Sequence, residues 1–439
     1  MGLLPLNYRR PAYVGKQQFR NSTTSFDEKG SVHSGQSASS AGIPDALAFD
    51  KIINGGTCPP CTLRDFMNYL VYIEHSAENL QFFLWYRDYK ERFMSADTAD
   101  LSLAGEWTQE MEDETVAKLQ KDAAERMKKE PAAADIFKGT DFEKGRDGAI
   151  DNKDPFGTPP RSARSDDDRS FVSGAHSATS TQHTKASDAF KNAGVKQPFT
   201  IQPFRSEVVR VITTYIAEDA PRQLNLSARE RKVLLTALAY TTHPSAFRSV
   251  ARTIENTLRR QAHPNFIRWT ICNGNPARVF FARGLGVGTI LLSIVAALVL
   301  TLSKAGRGYR AIPAIGLVIG IATLIAAYKG MCVVLHGMHH RHVRPWELFA
   351  EHQEEGKLDR NKTSFDSFSS SNSYEDEPWV VKYEKRNVVR KVFDREVWIQ
   401  EPALRTIQDT IFVQALIGAV IGAGILTAIF VAVPGGNFF

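Results

Sequence analysis

Three long runs without a single charge decide most of what this 439-residue chain can become. Residues 285–303, 311–328 and 410–433 lack Asp, Glu, Lys and Arg altogether. Each is near or above the roughly 18 to 20 residues that span hydrocarbon. In lipid the backbone can satisfy its polar groups only internally, so such runs are predicted to be helices. The spans are placed at 285–303, 311–335 and 410–433. A mean hydropathy of −0.26 sets these runs apart from an otherwise water-soluble chain. Each carries a Gly-xxx-Gly step, Gly284/Gly288, Gly316/Gly320 and Gly418/Gly422. Such steps let helix backbones approach closely, within one chain or in a homo-oligomer.

Basic residues set the orientation. Arg268, Arg278 and Arg283 precede the first span, and Arg341, Arg344, Lys391 and Arg405 lie between the second and third. The bias of Lys and Arg toward the cytosolic side puts the N-terminal part and residues 336–409 in the cytosol, with Gly435-Gly436 outside. Lys304, Arg307 and Arg310 in the first short loop run against this assignment. The 336–409 loop holds an acidic, Ser-rich stretch at 351–377 and a basic amphipathic approach at 382–395. His336, His339, His340 and His342 stand at helical spacing. Beside Arg341 and Arg344 at the membrane edge they read as interfacial polar residues, so no metal site is assigned to them.

The net charge of +6 is too mild and too dispersed for a nucleic-acid binder but suits a surface near anionic lipid. Cys58, Cys61, Cys272 and Cys332 are too few and too scattered for a disulfide framework. Cys58-Pro-Pro-Cys61 has redox spacing, yet no βαβ pattern surrounds it and no second pair completes a zinc set, so it reads as structural.

The polar part of the chain divides by pattern. No secretory signal is expected, because Arg9 and Arg10 follow Leu3, Leu4 and Leu6 too soon, and Leu6 stands where myristoylation wants Ser or Thr. Residues 1–45, Ser- and Gly-rich beyond Asn21, form a predicted disordered tail. Structure begins near Ala46. Leu63, Phe66, Met67, Leu70 and Ile73 make an i, i+3, i+4, i+7 stripe on one helix. Ser76 is the expected N-cap of the next, with Glu78 in its first turn where the helix dipole favours an anion. That second helix is apolar nearly all round through Leu80, Phe82, Phe83, Leu84, Trp85, Tyr86, Tyr89 and Phe93, so it should be sandwiched among others.

Residues 94–202 read as an insert. A charged helix is expected at 107–129, and 144–191 is too polar to fold. Closing so long a loop costs about 0.6 kcal/mol per doubling of length, on the order of 2.5 kcal/mol in all, which a packed bundle survives. Helical patterns resume over 203–272. Ser227 and Glu230 have capping-box spacing, which pins Asn225 just outside a helix start.

Three segments of this part resemble the RGS domain, the helical regulator that binds G-protein α subunits. Ser76-Ala77-Glu78-Asn79-Leu80, followed by Phe83, Leu84, Trp85 and Tyr89-Lys90, is similar to its most diagnostic segment. Gln223-Leu224-Asn225-Leu226-Ser227 is similar to its second recognition loop, and Phe266-Ile267-Arg268-Trp269 to its closing segment. The resemblance implies an all-α RGS-like bundle over 46–93 and 203–272, split by the insert and followed by three transmembrane helices. It implies that Glu78, Asn79 and Asn225 contact the Gα switches, with Ser76 and Arg268 at the rim. Two departures stand out: the long insert, and an Arg259-to-Asn265 stretch with Pro264 where an acidic contact is expected. A split box ahead of three spans resembles the fungal membrane RGS proteins of bipolar bud-site selection and cell polarity. That implies residence at plasma-membrane growth or division sites or in endomembranes, and a large single-pass cell-surface landmark as partner.

No phosphate-cradling glycine loop, nucleophile elbow or paired carboxylates in a helical face occur, so the chain is not expected to be an enzyme or to hold a cofactor. Any effect on GTP hydrolysis would be exerted on a Gα, with true GTPase activation and a non-activating membrane scaffold as the two readings. Both need the N-terminal part in the cytosol. Asn361-Lys362-Thr363 is an acceptor pattern for glycosylation in the 336–409 loop. Asn361 is expected to stay unmodified, while a sequon appended after Gly436 on a flexible extension gains endoglycosidase-sensitive mass; the reverse pattern inverts the chain.

Overall fold

The computed structural model describes residues 8–15, 42–96, 102–129, 174–196, 198, 201–348, 378–436 and 438. The stretches read from sequence at 16–41, 130–173 and 351–377, with Asn361 among them, lie outside those residues. The described chain is mostly helical. Two compact units form, one from Met1–Gln81, Thr253–Ser367 and Ser371–Phe439, the other essentially from Phe82–Arg252.

In the Phe82–Arg252 unit, the helices are the greater part of α3 (Ala77–Ser95), α4 (Gln109–Lys129), α5 (Gly174–Asn192), α6 (Arg205–Val211), α7 (Ala228–Tyr240) and the first half of α8 (Arg248–Thr257). The other unit holds α1 (Phe49–Ile53) and α2 (Leu63–Tyr69), which precede α3 in the chain. The expected sandwiching of α3 holds. Phe82, Trp85, Tyr89 and Phe93 are buried, and the Trp85 ring stacks on Tyr89 at 5.0 Å and meets Phe247 edge-on at 5.2 Å. Burying each ring stabilises by about 1.5–3 kcal/mol, and the paired geometry adds to that. Polar tips are satisfied as burial demands: the Tyr89 hydroxyl donates to the Thr242 carbonyl, and Trp85 Nε1 donates to Glu207 at 2.7 Å. Arg92 reaches the same carboxylate at 2.8 Å. Burial opposes ionisation of Glu207, but the hydrogen bonds from Arg92 and Trp85 prevail and hold its pKa below the usual range.

The insert is more structured than its composition predicts. The charged helix forms as α4, with Met111, Val116 and Leu119 half-buried, and it packs on α7. Within the stretch read as too polar to fold, residues 174–192 form α5. Ala186 and Phe190 are 2% exposed each and lie on a helix packed against α6 and the π turn Ile212–Ile216 that continues it. The reason is spacing: these two apolar residues, i and i+4, are enough to seat one face. Gly194, at φ +68°, ends the helix, with the Val195 N–H returning to the Phe190 carbonyl at 2.9 Å.

In the other unit, α1 and α2 meet the π turn Leu258–Ala262, which follows α8, and α9 (His263–Thr270). Phe66 packs on Phe266 at 5.0 Å and Phe49 on His263 at 5.9 Å. His263 Nε2 hydrogen-bonds the Leu47 carbonyl at 2.8 Å, and burial pushes its pKa down to about 4.

Among the described residues, three helices long and apolar enough to cross a membrane complete this unit: α10 (Pro276–Leu302), Arg307–Tyr328 with α11 (Ala314–Tyr328) as its regular part, and α15 (Pro402–Ala432). Between them come α12 (Val333–Gly337), β1 (His340–His342), α13 (Pro378–Glu384), α14 (Val388–Val392) and β2 (Glu396–Trp398). The first and third spans start earlier than the apolar runs because caps sit upstream. Asn275 Oδ1 accepts from the Arg278 N–H at 2.8 Å, the Glu401 carboxylate accepts from Ala403 at 3.2 Å, and Pro follows each cap. The second span ends at Tyr328, not 335. Gly330, at φ +82°, turns the chain there, and the Met331 N–H closes on the Ala326 carbonyl at 2.9 Å.

The middle span packs on both others. Ala415, Ala419 and Ala423 make its neighbour's buried seam, and Gly320 faces α10 so closely that a Cβ there would stand 2.7 Å from Ile290 Cγ1. A Cβ at Gly316 would collide with the Ser293 hydroxyl. Of the three glycine steps, Gly316/Gly320 and Gly418/Gly422 both face neighbouring spans, a Cβ at Gly418 standing 3.3 Å from Ile325 Cδ1, whereas among the described residues nothing stands within 4 Å of a Cβ built at Gly284 or Gly288. Leu291, Leu292, Val295, Ile319, Ile421 and Ile425 point outward and exposed, an apolar surface of the kind that suits lipid. Arg310, which ran against the charge rule, is buried and donates to the Val433 carbonyl at 2.6 Å, closing the C-terminal end of α15.

Because Phe190 fills a packed site, Phe190→Ala is expected to destabilise the Phe82–Arg252 unit by about 3 kcal/mol in denaturant unfolding. An unchanged midpoint means that α5 contributes nothing to the unit.

Candidate functional site

The corner between α2 and α3 is built by a change of helical pitch. After Tyr69 the helix widens into a π turn, Leu70–Glu74, which takes Ile73 off the predicted stripe and leaves it 43% exposed while Phe66 and Leu70 are fully buried. Tyr69 is buried in its place. His75 then adopts a left-handed φ of +51°, and the Ser76 N–H reaches back to the Leu70 carbonyl at 2.9 Å. The chain is thus held as α3 begins. The Asn79 N–H donates to the Ser76 backbone carbonyl at 3.4 Å, and Glu78 and Asn79 are half-buried in the first turn. Ser76, expected at a rim, is 9% exposed and sits under the corner.

Asn225 belongs to the Phe82–Arg252 unit and is exposed at the tip of its loop. Leu224 and Leu226 on either side are buried, and the Leu226 N–H closes a tight turn on the Leu224 carbonyl at 2.8 Å. Leu224 is tied to the Tyr215 carbonyl at 2.8 Å. The predicted capping box forms in full: Ser227 Oγ accepts from the Glu230 N–H at 3.2 Å, and Glu230 accepts from the Ser227 N–H at 2.8 Å. Two buried leucines and a closed box leave Asn225 little freedom.

Arg268 is committed elsewhere. Its guanidinium donates to the Pro11 carbonyl at 2.8 Å, and burial together with the Arg10 charge lowers its pKa. Residues 8–15, read as tail, are a strap. Arg10 donates to the carbonyls of Lys329 at 2.7 Å and Arg268 at 2.6 Å, while the Asn265 amide pairs with the N–H and carbonyl of Val14 at 2.9 and 3.0 Å. Gln414 of α15 holds the Tyr8 carbonyl at 2.9 Å. The only sequence signal was Arg9-Arg10-Pro11 ahead of the polar stretch.

The 336–409 segment, expected as a loop, supplies a platform in its described parts. β1 pairs antiparallel with β2, Arg341 opposite Val397, an addition to an otherwise helical chain. Trp346 stacks between Tyr72 at 4.9 Å and Trp269 at 5.9 Å, and the buried Arg344 guanidinium lies 3.7 Å from the Trp269 ring centre. Arg341 pairs with Glu347 at 2.9 Å. The Cys58-Pro-Pro-Cys61 turn docks on the start of α15, with Pro59 accepting from Gln400 and Glu401 at 3.1 Å. Burial and the nearby Glu401 charge push the Cys61 thiol up, which keeps it protonated and unlike a redox nucleophile.

No protein family, curated protein or solved structure matches the chain.

Arg10→Ala removes two charge-assisted hydrogen bonds to backbone carbonyls, each worth about 1.5–3 kcal/mol, so local opening of residues 8–15 should rise about 100- to 10,000-fold in amide exchange. Arg268 should then react faster with an arginine-selective dicarbonyl. Unaltered exchange shows the strap is held without Arg10.

Proposed function

We propose that this protein is a membrane-anchored regulator of G-protein signalling, whose RGS-like helical part binds the switch regions of a Gα subunit. The observation that carries the reading is the exposed Asn225, held at a loop tip by a complete capping box and two buried leucines, as a residue that must present one fixed amide would be. Glu78 and Asn79 sit at a second corner of similar rigidity. A Gα carries its own arginine in cis and a glutamine that orients the attacking water, so a partner accelerates hydrolysis by restricting the switch loops and contributes no reacting group. Rigid polar tips suit that task. Three membrane-spanning helices would keep the helical part at a cytosolic membrane face, where Gα subunits work.

A second reading, a polarity scaffold without GTPase activation, is favoured by one feature: Arg268 is bound to Pro11 and is not presented at a rim. In that reading the partner is a membrane-spanning landmark protein of bud-site selection, and the open Gly284/Gly288 face of α10 is the part of the spans left for a neighbouring helix.

Single-turnover GTP hydrolysis by candidate Gα subunits, with the full chain in lipid nanodiscs, separates the two. Asn79→Ala and Asn225→Ala should each abolish acceleration while helical content and melting temperature stay nearly unchanged. Acceleration that survives both substitutions removes the Gα-binding assignment, and a parallel loss of stability makes them structural caps.

A further inference from the structure

His336 near the end of α12, His339 in the turn after it and Asp409 of α15 come together at the base of the third span. His336 is 6% exposed, and its Nε2 lies 3.6 Å from Asp409 Oδ1. His339 joins them, with one donor atom from each of the three residues lying within 4.8 Å of the others. The rings of His336 and His339 meet edge to face at 5.9 Å. The backbone is shaped for this arrangement. His339 takes a left-handed φ of +54°, which is costly for a side chain with a Cβ, while its N–H donates to the His336 carbonyl at 2.8 Å and its carbonyl accepts from Ile399 at 2.9 Å. Asp409 is placed by its neighbour Gln408, which is fully buried and donates to the Ile271 carbonyl at 3.1 Å.

Second, the imidazoles have nitrogen to spare. Among the described residues, Nδ1 of His339 is buried without a hydrogen-bond partner, as is Nδ1 of His336, the ring nitrogen opposite the Nε2 that approaches Asp409. Buried polar atoms are nearly always paired, so the His339 nitrogen beside this pair needs an explanation.

We propose that His336, His339 and Asp409 bind one Zn²⁺ ion, which clips the juxtamembrane turn to the third membrane helix. Two imidazole nitrogens and one carboxylate oxygen are a zinc-type donor set, whereas Ca²⁺ and Mg²⁺ require all-oxygen cages. Donors at about 2.0–2.1 Å from a tetrahedral ion stand about 3.3 Å apart, close to the His336 to Asp409 separation, so only His339 must rotate inward. A water completes the fourth position. Thiolates take no part: Cys61 is held protonated by burial, and the Cys332 sulfur faces Arg278.

The test uses the full chain, purified in detergent without a polyhistidine tag, stripped with a chelator and titrated with Zn²⁺ against a chromophoric competitor. One equivalent is expected per chain. His336→Ala, His339→Ala and Asp409→Asn should each weaken it by about 100-fold or more, the upper end of what a lost supporting residue costs a metal site. His340→Ala and Cys58→Ser/Cys61→Ser should leave it unchanged. Co²⁺ in the same site should give tetrahedral d–d bands without a thiolate charge-transfer band. In the unmutated protein, Zn²⁺ should shield His336 and His339, and not His340, from diethyl pyrocarbonate, a readout independent of any variant's folding. Absence of a stoichiometric site, a thiolate band, or shielding that spares neither histidine overturns the assignment.

Discussion

Asn273 is the residue on which the larger unit depends. It is 1% exposed and lies where the chain leaves α9 and turns into the first membrane helix. Its side chain closes on the backbone of Cys332, accepting from the N–H at 2.7 Å and donating to the carbonyl at 3.2 Å, while its own carbonyl accepts from His342 at 2.9 Å. One residue thus ties the entry to the first membrane helix to the chain around Cys332 and to the end of β1. A junction at a membrane surface has irregular backbone with little water to satisfy it, so each exposed N–H or carbonyl must find a protein partner. Gln408 does the same for Ile271.

That constraint accounts for the platform around it. With the chain ends of α9, α11 and α15 held together by buried amides, Trp269 is presented to Arg344 and Trp346, and the Arg10 guanidinium finds two carbonyls at the same base. Arginines do much of this stitching because a guanidinium carries several fixed donors on a long side chain: Arg278 holds Val392, Arg283 meets Ala327, and Arg310 closes Val433. Basic residues that sequence reasoning could count only as topological charge are therefore also structural donors.

How much was legible depends on whether the signal was local. Capping at Ser227 and Glu230, the apolar helix from Leu80 to Phe93 and the three membrane runs are read from residues within a turn or two of each other, and the structure has them. Pitch changes were not legible, because a π turn at Leu70–Glu74 has no compositional mark, and the stripe that should have buried Ile73 buried Tyr69. The strap at residues 8–15 and the helix at 174–192 were also missed. Each depends on a few side chains, Arg10 and Asn265 in one case and Ala186 and Phe190 in the other, that average composition conceals.

The candidate residues divide along the same line. The sequence by itself determined that the chain is mostly helical, that three segments are fit for lipid, and that Asn225 stands just before a capped helix, because hydrophobic run length and capping are short-range effects. Only the tertiary structure decided that Arg268 is tied to Pro11, that Ser76 is buried beneath its corner, and that Asp409 stands beside His336 and His339. Those outcomes rest on contacts between residues tens to hundreds of positions apart, and no local propensity encodes which of many available polar groups will be nearest once the backbone has packed.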